Sequence, residues 1–571
     1  MKKKLNYYFS DKELIKILCK KRIKESKKGH DKHFLRNISS SAKSPHQNIK
    51  KEIFSFFPPR SLWVRLKKDE REKLSFNTSD INAIQLEKTI WREIKRCKKF
   101  DRPYPDWLEN LFKYIDEIQH SVFEIDKKYQ FSSPRVIPIL KDAKENTYRP
   151  LAVYLPNDHL IIGQIAKYLT FCFDPLFSDA SYAFRTSNNS DKKFNHHIAV
   201  EDIIRFKNKL DCSLFVAECD ISKFYDCVNH DIVFKLFKCL VLEAKQKLNI
   251  DIDPIALHFF DSYLISFAFN HNIIKQEKYI LQKANIFKGT IPWVKDEDLL
   301  AVNSDPVNDR IGVPQGGAIS CLIANILLNH VDKVVNSYSD ENTFYGRFCD
   351  DMILINKDKE NCELLLELYQ IALLEVKLIS HKPVSNIKYD HGFWSEKIKS
   401  KLPYLWGEYK KADSSTHSNV PWLAFVGYQI KFDGTVRVRK KSIANELQKQ
   451  VKETDKIIHV VRTSEVPNVS RKAIKFRLQQ RLISMSISRF RFGSDNAKMC
   501  WTSGFKVLKG NTNVTNQIRK LDRNREKQIR RIEVYLKRIS EPSKTPKKII
   551  KPFKYYGYNY SYYKQFENYI L

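Results

Sequence analysis

The chain has 571 residues, of which 100 are Lys or Arg and 66 are Asp or Glu, giving a formal net charge of +34. Its length exceeds that of one ordinary domain, and its 36 Phe and 27 Tyr exclude a wholly disordered chain. So large a positive excess predicts a polyanionic partner, most simply nucleic acid, although a compositional bias toward Lys would leave the same excess.

The cysteines and the N-terminus indicate a cellular compartment. The 11 Cys form no CxxC pair, which argues against a disulfide framework or a Cys-based zinc site and favours a reducing cytosol. The basic start MKKKLNYYFSDKEL has no apolar stretch after it, unlike a signal peptide. We find no apolar run long enough to cross a bilayer, so we expect a cytoplasmic protein without a membrane partner.

The predicted elements change along the chain from helices to short strands and back to helices. The segment IQLEKTIWREIKRCKKF (84–100) has apolar residues at helical spacing. β-prone runs separated by turns begin at VIPILKDAKENTYRPLAVYLP (136–156) and include LFVAECD (214–220). The triplet NHD at 229–231 can cap a following helix. After about residue 440 the chain reads as basic helices and ends in a Tyr-rich tail.

Two acidic stretches stand where strands meet turns. In FYGRFCDDMILINK (344–357) the acids Asp350 and Asp351 lie between two apolar runs, which predicts a hairpin with both carboxylates at one sheet edge. Adjacent carboxylates repel, and a hard divalent cation such as Mg²⁺ is the obvious compensation, although an Asx turn would use the same residues. Asp220 ends the strand at 214–220 and could complete such a site, whereas Asp226 and Asp231 fit a turn and a helix cap.

A glycine-containing loop lies between the acidic stretches. In RIGVPQGGAISCLIANILLNHVD (310–332), Pro-Gln-Gly-Gly precedes apolar residues at helical spacing. Glycines before a helix allow a substrate to approach the backbone closely.

In this order, CDISKFYDCVNH, GVPQGGAISCLIANILL and YGRFCDDMILI resemble three central palm motifs of prokaryotic reverse transcriptases of the group II intron and retron type. The flanking segments YRPLAVYLPNDHLIIGQIAKYL, LLEVKLISHKP and WLAFVGYQI are similar to further motifs of that family. The resemblance covers roughly residues 135 to 450 and is specific because the motifs occur in order.

This resemblance implies an α+β right-hand polymerase with fingers, a palm built on an antiparallel sheet, and a helical thumb. The implied parts are a basic helical N-terminal extension (1–130), fingers (131–212), a palm (213–435) with an insertion of unassigned function at about 241–310, a helical thumb (436–540) and a basic Tyr-rich tail (541–571).

The resemblance also implies site residues. Asp220 and Asp350 match the metal-binding aspartates, Asp351 a supporting acid, and Ile221 a backbone metal ligand. It implies that Lys141, with Lys144 as a competitor, and Arg149 bind the triphosphate. It also implies that Tyr225 lies beneath the sugar and excludes a 2′-hydroxyl, that Gln315 and Gly316 contact the incoming nucleotide, and that Lys382 donates a proton to pyrophosphate. The matching primer grip consists of Phe425, Val426, Gly427 and Tyr428.

The expected activity is RNA-directed DNA synthesis onto a primer 3′-hydroxyl or a protein hydroxyl, with two Mg²⁺ ions, Mn²⁺ being compatible. The expected partners are an RNA template, dNTPs, the DNA product, and either a partner protein or a second copy of the chain. The absence of a Cys/His endonuclease signature favours the defence-associated type, which acts against phage with a noncoding RNA. The alternatives are a non-catalytic RNA-binding maturase-like or scaffold protein and, disfavoured by Tyr225, an RNA-templated RNA polymerase.

Overall fold

A computed structural model gives the fold of most of the chain. It describes residues 4–38, 52–73, 78–124, 129–142, 144–186, 194–210, 212–274, 289–385, 393, 398–408, 419–463, 470–489, 514–540 and 561–563. The prediction of an α+β fold is confirmed.

The helices are α1 (Leu5–Tyr8), α2 (Asp11–Ile38), α3 (Lys68–Lys73), α4 (Thr78–Lys99), α5 (Asp106–Phe123), α6 (Pro156–Phe173), α7 (His196–Leu210), α8 (Phe224–Cys227), α9 (His230–Leu248), α10 (Pro254–Ser266), α11 (Asp296–Leu300), α12 (Ala318–Tyr338), α13 (Lys359–Glu375), α14 (Lys440–Arg462), α15 (Arg471–Arg489) and α16 (Thr515–Ser540). The strands are β1 (Arg135–Asp142), β2 (Thr147–Val153), β3 (Leu214–Asp220), β4 (Thr343–Phe348), β5 (Asp351–Asn356), β6 (Lys401–Trp406), β7 (Trp422–Phe425), β8 (Tyr428–Lys431) and β9 (Val436–Val438).

The chain divides into two compact units. Unit 1 comprises Met1–Ser10 and Asp116–Val426, and unit 2 comprises Asp11–Ile115 and Gly427–Leu571. This division groups residues 11–115 with the C-terminal helices. The finer boundaries expected between fingers, palm and thumb stay predictions.

A four-stranded antiparallel sheet forms the centre of unit 1, in the order β4-β5-β3-β6. The central strand β5 is buried from Met352 to Asn356, which explains why the run MILIN is continuously apolar. Helix α13 packs on the sheet and α12 packs on α13. By length and composition α12 could cross a bilayer, contrary to the expectation that no such run exists, but 72% of its apolar window is buried, as in a core helix.

A buried ion pair joins β4 to α12. The Arg347 guanidinium binds the Asp332 carboxylate through Nε at 2.8 Å and Nη2 at 2.7 Å, and both side chains have no exposed surface. The Tyr345 hydroxyl donates to the same carboxylate at 2.7 Å, so its lone pairs are well satisfied. This network fixes the strand that leads into the acidic hairpin.

The hairpin of β1 and β2 is held by the segment that was predicted to be an insertion. The Tyr148 amide donates to the Thr290 carbonyl at 2.9 Å, and the Thr290 amide donates to the Asn146 carbonyl at 3.2 Å. Phe269 stacks on Trp293 with ring centroids 4.5 Å apart, in a cluster that includes Tyr148. The described part of the insertion is therefore built into unit 1, while 275–288 lie outside the described residues.

Unit 2 contains a bundle of α14, α15 and α16. Its core consists of Ile457, Val461, Ile474, Leu478, Leu482, Ile532 and Leu536. The short segment 561–563 docks on this bundle, because Asp522 accepts hydrogen bonds from the amides of Tyr562 and Tyr563, each at 2.8 Å. Tyr562 is fully buried and its hydroxyl donates to Glu446 at 3.0 Å, so it is a packing residue. The rest of the Tyr cluster, 555–560, lies outside the described residues.

Candidate active site

The acidic hairpin has a two-residue turn. Phe348 pairs with Asp351 across the strands, which leaves Cys349 and Asp350 in the turn. Cys349 has φ +61°, and two-residue hairpins require such a positive φ at their first turn position. A buried Cys holding this conformation is an uncommon, strained choice, so the packing around it must fix the turn.

The three predicted acids meet at one edge of the sheet. β3 runs beside β5 in a register that pairs Asp220 with Asp351, and Asp350 is the residue before that pair. Burial raises the pKa of Asp350, and the negative charge of Asp220 raises it further. Asp220 and Asp350 are partly buried, whereas Asp351 is exposed.

Residues that the motif comparison missed surround Asp220. Lys399 Nζ lies 3.4 Å from Asp220 Oδ2, and the His381 amide donates to the Asp220 carbonyl at 2.9 Å. Burial lowers the pKa of the His381 imidazole, and Lys399 lowers it further while Asp220 opposes them. No sequence signal singles out Lys399, because it lies far along the chain and reaches Asp220 only through folding. Lys382 is exposed, and its proposed role stays a prediction.

The donor set fits a hard divalent cation. Asp220 and Asp350 offer carboxylate oxygens close enough for their charges to interact, and a cation between them would relieve that repulsion. Among the described residues, no group of three or more His, Cys, Asp or Glu could hold a metal ion alone. Mg²⁺ is usually bound through one or two carboxylates together with substrate phosphates, so two carboxylates suffice for a substrate-completed site.

The segment after Asp220 is fixed next to this edge. The Ser222 amide donates to the Ile379 carbonyl at 2.7 Å, which holds the backbone of Ile221 in place. The Tyr225 hydroxyl lies 3.4 Å from Cys349 Sγ, so its ring reaches the turn that carries Asp350. This position is compatible with the predicted role of Tyr225 beneath a sugar.

Three cations from two parts of unit 1 converge beside this segment. Lys141 is the extra residue of a β-bulge in β1, and Arg149 lies on the paired strand β2. Burial lowers the pKa of Lys223, and the charges of Lys141 and Arg149 lower it further. The structure therefore brings Lys141 to this cluster, whereas Lys144 lies in the β1–β2 turn. Lys223 was not predicted; its sequence signal is its position three residues after Asp220.

Gln315 points at a carboxylate that was expected to be structural. Its Nε2 donates to Asp226 Oδ1 at 2.7 Å, and Asp226 is only 4% exposed. Burial raises the pKa of Asp226 to about 6, while Gln315 and the cations Lys223, Arg149 and Lys141 act in the opposite direction. Gly316 has φ +80° with open space where a Cβ would stand, so the loop backbone is accessible beside Gln315.

The predicted primer grip is a tight turn. Val426 and Gly427 both have positive φ, +40° and +87°, between the buried residues Phe425 and Tyr428. Two successive positive φ values are typical of a type I′ hairpin turn. A β-branched residue is an outlier there, which indicates that neighbouring structure imposes the conformation.

One face of α16 is a basic stripe. Five of its exposed cations are spaced three, four or seven residues apart and therefore share one side of the helix over roughly 25 Å. They are Lys520, Arg523, Lys527, Arg530 and Lys537.

Known proteins resemble this chain in part. Residues 139–383 match the family described as reverse transcriptase (RNA-dependent DNA polymerase). An uncharacterized 91 kDa protein in cob intron of Schizosaccharomyces pombe is 25% identical over 243 residues, covering 42% of this chain and 23% of that protein. The chain thus matches about a quarter of this relative's length.

Solved structures also give matches. The structure of apo telomerase from Candida tropicalis is 10% identical, covering 85% of this chain and 82% of that chain, with a TM-score of 0.34. Telomerase from Candida albicans, in complex with a TWJ fragment of telomeric RNA, is 12% identical over 77% of this chain and 67% of that chain, with a TM-score of 0.31. At these TM-scores the likenesses assign no residue and no activity.

Proposed function

We propose that this chain, whose residues 139–383 form a reverse transcriptase domain, is an RNA-directed DNA polymerase that joins deoxynucleotides to a primer 3′-hydroxyl. One observation carries the proposal: two interacting carboxylates stand at a sheet edge, and Lys223, which lies beside Lys141 and Arg149, follows one of these carboxylates after only three residues. Asp220 ends β3, Lys223 follows three residues later, and Tyr225 bridges back to the hairpin turn. Nucleotidyl transfer needs both a cation site and a cradle for a triphosphate.

Asp220, the Ile221 carbonyl and Asp350 would hold Mg²⁺, or Mn²⁺, with Asp351 as a supporting acid. When bound, two such ions activate a 3′-hydroxyl and neutralise charge on the leaving pyrophosphate. Lys399 Nζ, 3.4 Å from Asp220 Oδ2, supplies a positive charge to this carboxylate in the absence of a metal ion.

The chain's own residues position the nucleotide. Lys141, Arg149 and Lys223 present three positive charges to the triphosphate, and the planar Arg guanidinium can bind two phosphate oxygens at once. Tyr225 would contact the sugar and exclude a 2′-hydroxyl, a role supported by the 3.4 Å distance between its hydroxyl and Cys349 Sγ in the hairpin turn. Lys382, expected to protonate pyrophosphate, is one residue after His381 at the same edge.

The template and its duplex carry the complementary charge. The basic stripe on α16 and the net charge of +34 favour binding through phosphates. Because A-form RNA duplexes are recognised mainly by shape, phosphates and 2′-hydroxyls, this stripe suits an RNA template better than a sequence-specific DNA site.

The biological setting we propose is a cytoplasmic, prokaryotic, defence-associated enzyme that acts against phage with a noncoding RNA. The motif resemblance supports it. Plaque counts on cells that express the wild type or Asp350→Asn test this setting, because a defence enzyme protects only when its catalytic carboxylate is intact. Equal protection by both proteins would refute a catalytic defence role.

The polymerase assay uses purified full-length protein, poly(rA)·oligo(dT), Mg²⁺ and labelled dTTP. We expect incorporation by the wild type and none by Asp350→Asn, while both bind the template–primer equally. Asp231→Asn is the matched control, because Asp231 is an exposed carboxylate outside the site. Binding without incorporation by any of the proteins would instead favour the RNA-binding scaffold.

A further inference from the structure

The contact between Asp226 and Gln315 is built into two adjoining segments. Asp226 lies on the short helix α8, and Gln315 lies in the loop before α12. The segments are bonded through their backbones, because the Val313 amide donates to Tyr225 at 2.8 Å and the Gly312 amide donates to Val228 at 2.7 Å. This frame leaves the two side chains little freedom to separate.

The contact also fixes which end of the Gln315 amide faces the site. An ionised carboxylate only accepts hydrogen bonds, so Asp226 must receive the Nε2 group of Gln315. The carbonyl Oε1 is then directed away from Asp226. Within the part of the chain that the structure describes, no donor is bonded to Oε1, which is therefore available to a ligand.

The chemistry of the nucleotide narrows what Oε1 can bind. An amide oxygen accepts and does not donate, and phosphate oxygens at neutral pH also only accept, so this oxygen cannot bond the triphosphate. The donors on the bases differ from one nucleotide to the next. The donor that all four deoxynucleotides share is the 3′-hydroxyl.

We propose that Asp226 is a positioning residue that sets specificity: by orienting Gln315, it makes the site select nucleotides that carry a 3′-hydroxyl. This inference rests on the proposed polymerase function and adds a residue to it. The cations around Asp226, namely Lys141, Arg149 and Lys223, favour its ionised form against burial and so maintain the orientation of the amide. An Asn in its place can both donate and accept, and would permit either orientation.

The test compares dTTP with 3′-deoxythymidine triphosphate on poly(rA)·oligo(dT). The quantity is the ratio of kcat/KM for the two nucleotides, measured for the wild type, Asp226→Asn, Asp226→Ala and the control Asp231→Asn. A site built to bond a hydroxyl rejects an analogue that lacks it. We expect the preference for dTTP to fall about tenfold in both Asp226 variants and to be unchanged in the control.

The ratio separates positioning from a general defect. A variant that is merely less stable loses kcat/KM equally for both nucleotides, so an unchanged ratio in Asp226→Asn would overturn the proposal. If the wild type incorporates neither nucleotide, the proposed polymerase function fails by itself. Equilibrium binding of the two nucleotides to the protein–template–primer complex then measures the preference for dTTP without turnover. We again expect this preference to fall about tenfold in the Asp226 variants. An unchanged preference in Asp226→Asn would overturn the proposal here too.

Discussion

The substitution Asp226→Asn is expected to stabilise unit 1 near pH 8. Burial raises the pKa of Asp226 from its usual 3.8 to about 6, so the folded state binds this proton more tightly than the unfolded state does. Below pH 3.8 the group is protonated in both states and has little effect on stability. As the pH rises from 3.8 to 6, ionisation favours the unfolded state, and above pH 6 this destabilisation is complete. The raised pKa therefore lowers the free energy of unfolding by about 3 kcal/mol at pH 8 and by roughly 1.5 kcal/mol at pH 5.

An amide at this position has no proton equilibrium and escapes that penalty. Unit 1 contains roughly 320 residues, which at about 2.1 cal/mol/K per residue gives an unfolding entropy of roughly 0.7 kcal/mol/K. The Tm of Asp226→Asn should thus rise by up to about 4 °C at pH 8, and by about half as much at pH 5. Calorimetric unfolding of the full-length protein at both pH values measures this shift.

Asp231→Asn is the control for the same experiment. Its side chain is exposed to solvent, so the substitution should change the Tm by less than about 1 °C at either pH. A Tm for Asp226→Asn at or below that of the wild type at pH 8 would refute the reasoning. It would mean that the cations and Gln315 stabilise the charge by more than burial penalises it.

Three further outcomes are expected. Tyr225→Ala should lower the preference for dTTP over rUTP at least about tenfold in incorporation assays, while Tyr225→Phe, which keeps the ring, should retain it. Asp332→Asn leaves Arg347 buried without its counter-charge and should reduce stability by about 3–5 kcal/mol, seen as a Tm lower by roughly 5–7 °C. The double variant Lys520→Ala/Lys527→Ala should weaken RNA binding and reduce the slope of the logarithm of the binding constant against the logarithm of salt concentration by roughly 1.5. An unchanged slope would mean that the duplex does not bind to this stripe.

Much of the fold follows from local sequence patterns. The helix expected at 84–100 is part of α4 up to Lys99, and Asn229 caps α9 by accepting from the amides of Asp231 and Ile232. The strand 214–220 and the acidic hairpin form with the expected limits. These elements are predictable because spacing, caps and apolar runs act over a few residues.

The parts that could not be predicted depend on residues far apart in the chain. Lys399 reaches Asp220 across 179 positions, and Thr290 bonds to the β1–β2 hairpin across more than 140. Asp226 has the sequence context of an ordinary turn residue, and only its burial and its bond to Gln315 distinguish it. Such contacts are products of tertiary packing, which a local pattern does not encode.

The division of the chain has a consequence for the order in which the protein is made. Unit 2 is assembled from residues 11–115 and 427–571, with nearly all of unit 1 synthesised between them. At about 5–20 residues per second a ribosome needs roughly 15–60 s for that intervening stretch. During this interval α2 and α4 can pack on each other, but α2 must wait for α14, which it contacts in the finished protein. Translation thus completes unit 1 first, and the nascent chain carries residues 11–115 of unit 2 without the helices they pack on, a candidate for chaperone binding, until its last helices emerge.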